Sequence, residues 1–532
     1  MHLLITGGNG RLARALVAAL SQDNTIRLFD THFTEPLPGN IESQAGDLRE
    51  PEAVATAVAG VDTVLHLAPL APLSLADTPG VEDVTALDTA TRGTYVLMNA
   101  AREAKVARVI LGSTLDLFSR LPAHWRVNEV WRPRPEAHIN QLCAWLAELS
   151  ARENARVGNM QVLCLRFGKL VDDVAAKSEV YDSRWLHVED AVLGVRRALA
   201  FTPDQMQRPD WSIFHITAPG ARAKIRLTHS ASEKEPFGYQ PTHDFHECCT
   251  QTEETNRSDD RPWQEVLAPK SMRSRPIRKV VIFGAGGPMG AITAQELSAS
   301  YTLTLTDIRP IAEIAAEDKP QSPGAPLPVP FGAPHENRIV DVRDPQQVMA
   351  ACEGMDAIIN CTVVRPDPVD AFRVNTIGAY NIVQAAVAHG IRRVVQTGPL
   401  LQSSSGWGGY TWDYDLSVDA PARPYADLYC HSKYLGQETC RVFAEYYGLE
   451  VPVLLFASLR DPQMAGGSSP FVISWPDTGR ALRRALKVSS LPSPYEMMNI
   501  SADLPHGHYR HDKAREILEW EPRDGLEHLW QD

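Results

Sequence analysis

Residues 279–290 read KVVIFGAGGPMG, and residues 2–13 read HLLITGGNGRLA. In each, a short apolar run breaks into a glycine-rich turn. Such a run reads as a buried strand, and the glycines after it open a helix whose N-terminal N–H groups can approach a pyrophosphate closely. Gly284, Gly287 and Gly290 match Gly7, Gly10 and Ala13 at a constant offset of 277 residues. Ala13 stands where a third glycine would let helix and strand pack closely, and is the smallest step away from it. The next apolar run ends in an acid both times, Asp30 in IRLFD and Asp307 in LTLTD. An acid there can hydrogen-bond a ribose 2′-OH and repels a 2′-phosphate, so the spacing predicts NAD rather than NADP in both halves. Arg309, two residues past Asp307, would soften that preference in the second half.

Outward from these loops the chain repeats. AGDLREPEAV, with Asp47, matches IVDVRDPQQV, with Asp341, at an offset grown to 294. The second half carries an insert, AAEDKPQSPGAPLPVPFGAPHENR, whose Pro density predicts a surface loop and neither strand nor helix. VDTVLHLA matches MDAIINCT, and PFGYQP (236–241) and ILEWEP (517–522) close the halves. The expected organisation is a unit over 1–250, a polar linker over 251–276 and a second unit over 277–532. Apolar β-branched runs alternating with helical periodicity predict α/β architecture: two tandem Rossmann-type, doubly wound parallel sheets, with ligands at the carboxyl ends of the strands.

Bulk properties narrow the function. Composition is that of a globular chain, 44% hydrophobic and 22% charged, with a net charge of -13 and no long basic run. Nucleic acid and anionic membrane are excluded as main partners. No apolar run approaches the ~20 residues of a membrane helix. Eight cysteines without a C-x-x-C predict a reduced, cytoplasmic protein.

The segment PYADLYCHSKYLGQE places Tyr429 and Lys433 four residues apart, one turn apart on one helix face, where they can form a proton-transfer pair. In the first half His138 and Leu142 occupy these places. Taken with TGGNGRLA, FGAGGPMG, the acids Asp47 and Asp341, and VNTIGAYNIVQAA, the chain resembles the extended short-chain dehydrogenases/reductases, the NAD-dependent epimerase/dehydratase family, twice over. The C-terminal half looks most like the compact uronate-dehydrogenase-like members.

The resemblance implies roles. Tyr429 would be the general acid or base. Lys433 would bind the nicotinamide ribose and lower the Tyr pKa. Asn375 would support the site, and Asp341 would lie near the adenine. It further implies a dehydrogenase acting on a sugar, uronic acid or nucleotide-sugar hydroxyl or carbonyl. The alternatives are an epimerase/dehydratase or a non-catalytic NAD-responsive binding or regulatory protein. Family members often dimerise around the Tyr/Lys helix, so the first half would act as an intrachain pseudo-dimer partner. Homo-oligomers remain compatible with this.

Both halves depart from the family pattern. The first has Ala90 at the Asn375 position and lacks Tyr and Lys, so it is expected to be catalytically dead, though it could still bind nucleotide. It keeps a Ser/Thr pair, Ser113 and Thr114, and the strand Arg, Arg166. The second has Gly398–Pro399 and Leu455 there, and Thr397 is the expected hydroxyl substitute, with Ser403–Ser405 as others. Trp407 and Trp412 suit sugar stacking, and Arg365 suits a substrate carboxylate. His506, His508 and His511 lack ligand spacing, and no metal site is expected.

Overall fold

The computed structural model describes residues 1–532 except 34–40, 71–80, 122–124, 126, 159, 180, 203–209, 220–229, 246–271, 273–274, 400–415, 457, 464–471, 506, 508 and 530–532. It divides into two compact units, one holding Met1–Asp77 and Glu82–Ala268 and the other Pro269–Asp532. The residues 400–415, with Trp407, Trp412 and Ser403–Ser405, and His506 and His508 lie outside the described residues, as does most of the expected linker.

The first unit contains β1 (His2–Thr6), β2 (Thr25–Asp30), β3 (Glu42–Ala45), β4 (Thr63–His66), β5 (Arg108–Thr114), β6 (Gln161–Phe167), β7 (Lys169–Val171), β8 (Trp185–His187) and β9 (Trp211–Ile216). The second contains β10 (Lys279–Phe283), β11 (Thr302–Asp307), β12 (Glu336–Ile339), β13 (Ala357–Asn360), β14 (Arg393–Pro399), β15 (Val451–Phe456), β16 (Ser458–Arg460), β17 (Val472–Ser474) and β18 (Tyr495–Ile500). Each unit builds a seven-stranded sheet, in the orders β3-β2-β1-β4-β5-β6-β9 and β12-β11-β10-β13-β14-β15-β18. All ladders are parallel, as strands buried on both faces and joined by helices require. Leu3 and Ile5 enter one apolar cluster and Leu4 another, which is the alternation of a strand covered on both sides. The closing motifs seal the cores: Phe237 and Tyr239 join the first unit's cluster, and Leu518 and Trp520 join the second's.

The strand order reverses beside β1 and β10, and the glycine loops leave there. Gly284 has φ +76, and a Cβ on it would lie 2.9 Å from the backbone of Cys361 and Thr362 at the end of β13. Gly7 repeats this with φ +71 and Ala68 N at 2.9 Å. A Cβ on Gly290 would come within 2.3 Å of the Gly284 carbonyl, whereas Ala13 sits in the same place in the first unit with its methyl buried. The first loop is therefore the looser of the two.

The insert is a loop only in its middle. Ala315 and Ala316 end the helix Ile311–Ala316, and Glu336–Arg338 begin β12, correcting the expectation of a loop throughout. Proline density fixes the loop, but Ala315 and Ala316 continue the preceding helix and Glu336–Arg338 are recruited by ladder bonds to β11 that no local pattern announces. No helix among the described residues is long and apolar enough to cross a membrane.

Gly290→Ala is expected to overpack the turn and destabilise the second unit by about 1–3 kcal/mol in urea unfolding. Ala13→Gly, which adds no atoms, is expected to cost no more than about 1 kcal/mol.

Candidate active site

A cleft of about 970 Å³ runs across the carboxyl ends of the second sheet, and its walls include Gly284, Gly287, Asp307, Asp341, Tyr429 and Lys433. Gly290 lies beneath its glycine turn. At one end the Asp307 carboxylate accepts from the N–H groups of Gly286 and Ile308, at 2.9 and 2.8 Å. Burial raises its pKa, and the backbone donors only partly oppose this. Arg309 pairs with Glu317, and its charge and backbone N–H oppose the rise at Asp307 only in part. Asp341 is bonded by Arg343 through Nε at 2.9 Å to both oxygens. Burial pushes this carboxyl up, but the Arg343 bonds win and hold it below the usual range. A turn with no room for a Cβ at Gly284, Gly286 or Gly290, opening a helix and facing an acid, fits a dinucleotide with a free ribose 2′-OH.

At the other end the long helix Leu428–Tyr447 carries Tyr429 and Lys433. Asp427 caps it, accepting from Cys430 N at 2.8 Å, and Gly448 at φ +76 ends it. Gly436 lets this helix touch the π-helical turn Arg373–Ile377; a Cβ there would be 2.1 Å from the Asn375 carbonyl oxygen. Across that contact Asn375 Nδ2 donates to Ser432 Oγ at 3.0 Å and to Val364 O at 2.7 Å. Lys433 is buried, and its Nζ donates to Thr362 O at 2.7 Å and Thr397 O at 3.5 Å. Burial pulls its pKa down to about 8.

Burial also pushes the Tyr429 phenol up to about 12. The cation opposing that rise is Arg365, whose guanidinium carbon stands 5.0 Å from the Tyr429 ring centroid. The resemblance implies that effect for Lys433, whose protons here go to two carbonyls.

The Gly398–Pro399 departure is built in. Gln437 occupies the place a side chain at 398 would take, its Nε2 only 1.9 Å from a Cβ there. Both Gln437 amide atoms are buried without a hydrogen-bond partner among the described residues. Thr397 reaches the cleft, but its hydroxyl donates to Asn360 O at 2.8 Å. What it offers the site is its carbonyl, beside Lys433.

The first unit has used the same places differently. Asp30 accepts from Asn9 N at 2.9 Å, and Asp47 is held by Arg49 below the usual range despite its burial. Gly7, Gly10 and Ala13 keep the turn, with Gly10 N donating to Gly7 O at 3.0 Å. His66, at the end of β4, bridges Thr6 Oγ1 at 2.7 Å and Thr94 Oγ1 at 2.9 Å, and burial drops its pKa to about 3, so it is neutral. Ala90 and Leu142 are buried, and His138 is half-exposed beside Glu136. Ser113 Oγ donates to Glu148 at 2.5 Å, and Arg166 clamps the same carboxylate at 2.9 and 2.7 Å. What reads in sequence as a surviving half of a catalytic set is a buried structural ion pair.

Sequence reasoning did not find the cluster of His187, Glu189 and His243, whose ligand atoms lie within 4.8 Å of one another. The two rings stack at 3.8 Å with planes 16° apart, so their in-plane lone pairs run parallel and do not converge on one ion. His187 Nδ1 also serves as the helix cap, accepting from Glu189 N at 3.3 Å. His511 packs edge-on against Trp520.

Comparison with known proteins agrees with this architecture. The model of the NAD dependent epimerase/dehydratase family matches residues 280–463, and an NAD(P)H-binding model matches residues 7–184. The uronate dehydrogenase of Pseudomonas putida is 27% identical over 197 residues, 36% of this chain and 65% of that protein. The L-arabinose 1-dehydrogenase (NAD(P)(+)) of Haloferax volcanii is 26% identical over 248 residues, 42% of this chain and 89% of that one. The crystal structure of uronate dehydrogenase from Agrobacterium tumefaciens aligns at 20% identity with a TM-score of 0.39, covering 49% of this chain and 91% of that chain.

Two variants probe the buried charges. Folded Lys433 binds fewer protons than the unfolded chain between about pH 8 and its ordinary 10.5. Its charge therefore costs stability below pH 8, and the cost is shed as pH rises to 10.5. Wild type is expected to gain stability relative to Lys433→Met across that window, read by urea unfolding at each pH. Arg166→Ala is expected to destabilise the first unit by about 3–5 kcal/mol, because it leaves Glu148 buried and unpaired.

Proposed function

We propose that this tandem member of the NAD-dependent epimerase/dehydratase family is a cytoplasmic NAD-dependent dehydrogenase of a sugar or uronic acid, with its chemistry in the second unit. The observation that carries the reading is the convergence, on one cleft, of the glycine cradle and Asp307 with Tyr429 and Lys433, whose helix the buried Asn375 holds through Ser432. Bound NAD would accept the hydride from the substrate carbon. Tyr429 takes the proton of the reacting hydroxyl, which requires its raised pKa to fall in the loaded site. Lys433, charged below about pH 8, supplies positive charge at the ribose end and exchanges a carbonyl partner for a ribose hydroxyl. Asn375 is a positioning residue: its bonds to Ser432 and Val364 fix the Tyr/Lys helix against the turn below. Thr397 takes part through the carbonyl it offers Lys433. Asp341 shapes the adenine end. The acids Asp307 and Asp30 set the preference for NAD, and NADP is the poorer cofactor.

The first unit, with Gly7, Gly10, Ala13, Asp30 and Asp47 in place, is a degenerate nucleotide-binding partner that takes the position of a second subunit. Deleting residues 1–250 should then cost the second unit solubility or stability.

The test is NADH formation with NAD and a panel of uronic acids, aldoses and nucleotide sugars. Tyr429→Phe is expected to lower kcat by about 10²–10⁴-fold, as removal of a general acid–base does. The occupied 398 position and the committed Thr397 hydroxyl favour a second reading, a non-catalytic NAD-responsive protein. NAD binding without turnover across the panel, in wild type and variant alike, would select it.

A further inference from the structure

Arg365 follows β13 on the wall of the cleft, exposed, with its guanidinium over the face of Tyr429. Of the other arginines of this cleft, Arg343 is paired with Asp341 and Asp370, Arg309 with Glu317, and Arg460 donates to the Leu459 carbonyl at 3.1 Å. Lys433 is buried and bonded to two carbonyls. Among the described residues no carboxylate lies within ion-pair distance of Arg365. Its guanidinium carbon stands 5.0 Å from the Tyr429 ring centroid and the group also hydrogen-bonds the Tyr429 side chain, which leaves most of its five N–H donors for a ligand. A guanidinium anchored on Tyr429, with no carboxylate partner and donors to spare, is a preformed receptor for a planar anion. From the Tyr429 ring to Arg365 is 5.0 Å, so a ligand reaching both spans little more than one sugar ring.

We infer that Arg365 binds the carboxylate of the substrate and makes the cleft selective for sugar acids over the neutral sugars of the same shape. The inference rests on the dehydrogenase reading for the location of the reacting hydroxyl, and it adds the substrate class and the residue that selects it. The same contact gives Arg365 a second effect. Its charge is what pulls the Tyr429 phenol down against burial, so an anion seated on it weakens that pull, while a neutral sugar leaves it intact. The pH dependence of turnover should therefore differ between an acid and its neutral counterpart.

The experiment is calorimetric binding of D-galacturonate and D-galactose to the full chain preloaded with NADH. Wild type, Arg365→Ala and Arg365→Lys are compared, with NADH affinity of each variant as the folding control. Arg365→Ala is expected to weaken galacturonate about 100-fold more than galactose, with NADH binding retained. Arg365→Lys should recover only part of the loss, since an ammonium keeps the charge without the bidentate fork. Equal losses for both sugars, no loss for either, or a wild type that prefers galactose would overturn the inference. Galacturonate held through Arg365 without NADH formation from NAD would leave it standing and sink the dehydrogenase reading. Turnover of neutral sugars alone would do the reverse.

Discussion

The second unit depends on one close approach: the turn at Gly284 against the backbone of Cys361 and Thr362, with Gly290 pressed over the Gly284 carbonyl. It lies where the strand order reverses, so neighbouring strands diverge and their carboxyl ends leave a crevice. No side chain fits in that contact. The helix after the turn therefore starts directly over the crevice and aims its free N–H groups into it. Asp307 then closes the loop from the next strand, through Gly286 N. The end of β13, whose backbone Gly284 touches, also supplies the Thr362 carbonyl that receives Lys433. The cradle and the Tyr429/Lys433 helix are thus referenced to the same strand end.

The two copies show what happens to such a crevice under different electrostatic choices. In the first unit its polar groups are closed on one another: Arg166 and Ser113 on Glu148, and neutral His66 between two threonines. Among the described residues, the Glu148–Arg166 charges are paired with each other and the His66 ring is held by hydroxyls on both sides. In the second, Lys433 is buried against carbonyls at the expense of its own proton affinity. Tyr429 keeps its proton up to about 12, and Arg365 lines the cleft beside it with no carboxylate partner among the described residues. Satisfied networks stabilise; under-satisfied ones keep free energy available for a ligand.

Much of this was legible in order and spacing. The glycines and the acids that follow them, the repeat, and the Tyr429/Lys433 pair are all local patterns, and a parallel α/β fold leaves them few places to go. The substitution at Gly398–Pro399 was visible too, but its consequence was not. That Gln437 fills the vacated position, and that Thr397 commits its hydroxyl to Asn360, depend on which strands are neighbours. Ser113 and Arg166 were legible as retained residues, but that both bond Glu148 was decided by the fold.

By itself the sequence determined two doubly wound units, a glycine turn facing a strand-end acid in each, and a Tyr/Lys pair one helical turn apart in only one. These follow from periodicities of two and 3.6 residues and from turns that admit only glycine, all properties of short segments. The tertiary structure decided which cation acts on Tyr429, where Lys433 spends its protons, and that the first unit's polar residues form a closed ion pair. Those outcomes turn on contacts between segments tens of residues apart, whose distances are set by sheet order and burial and leave no trace in local spacing.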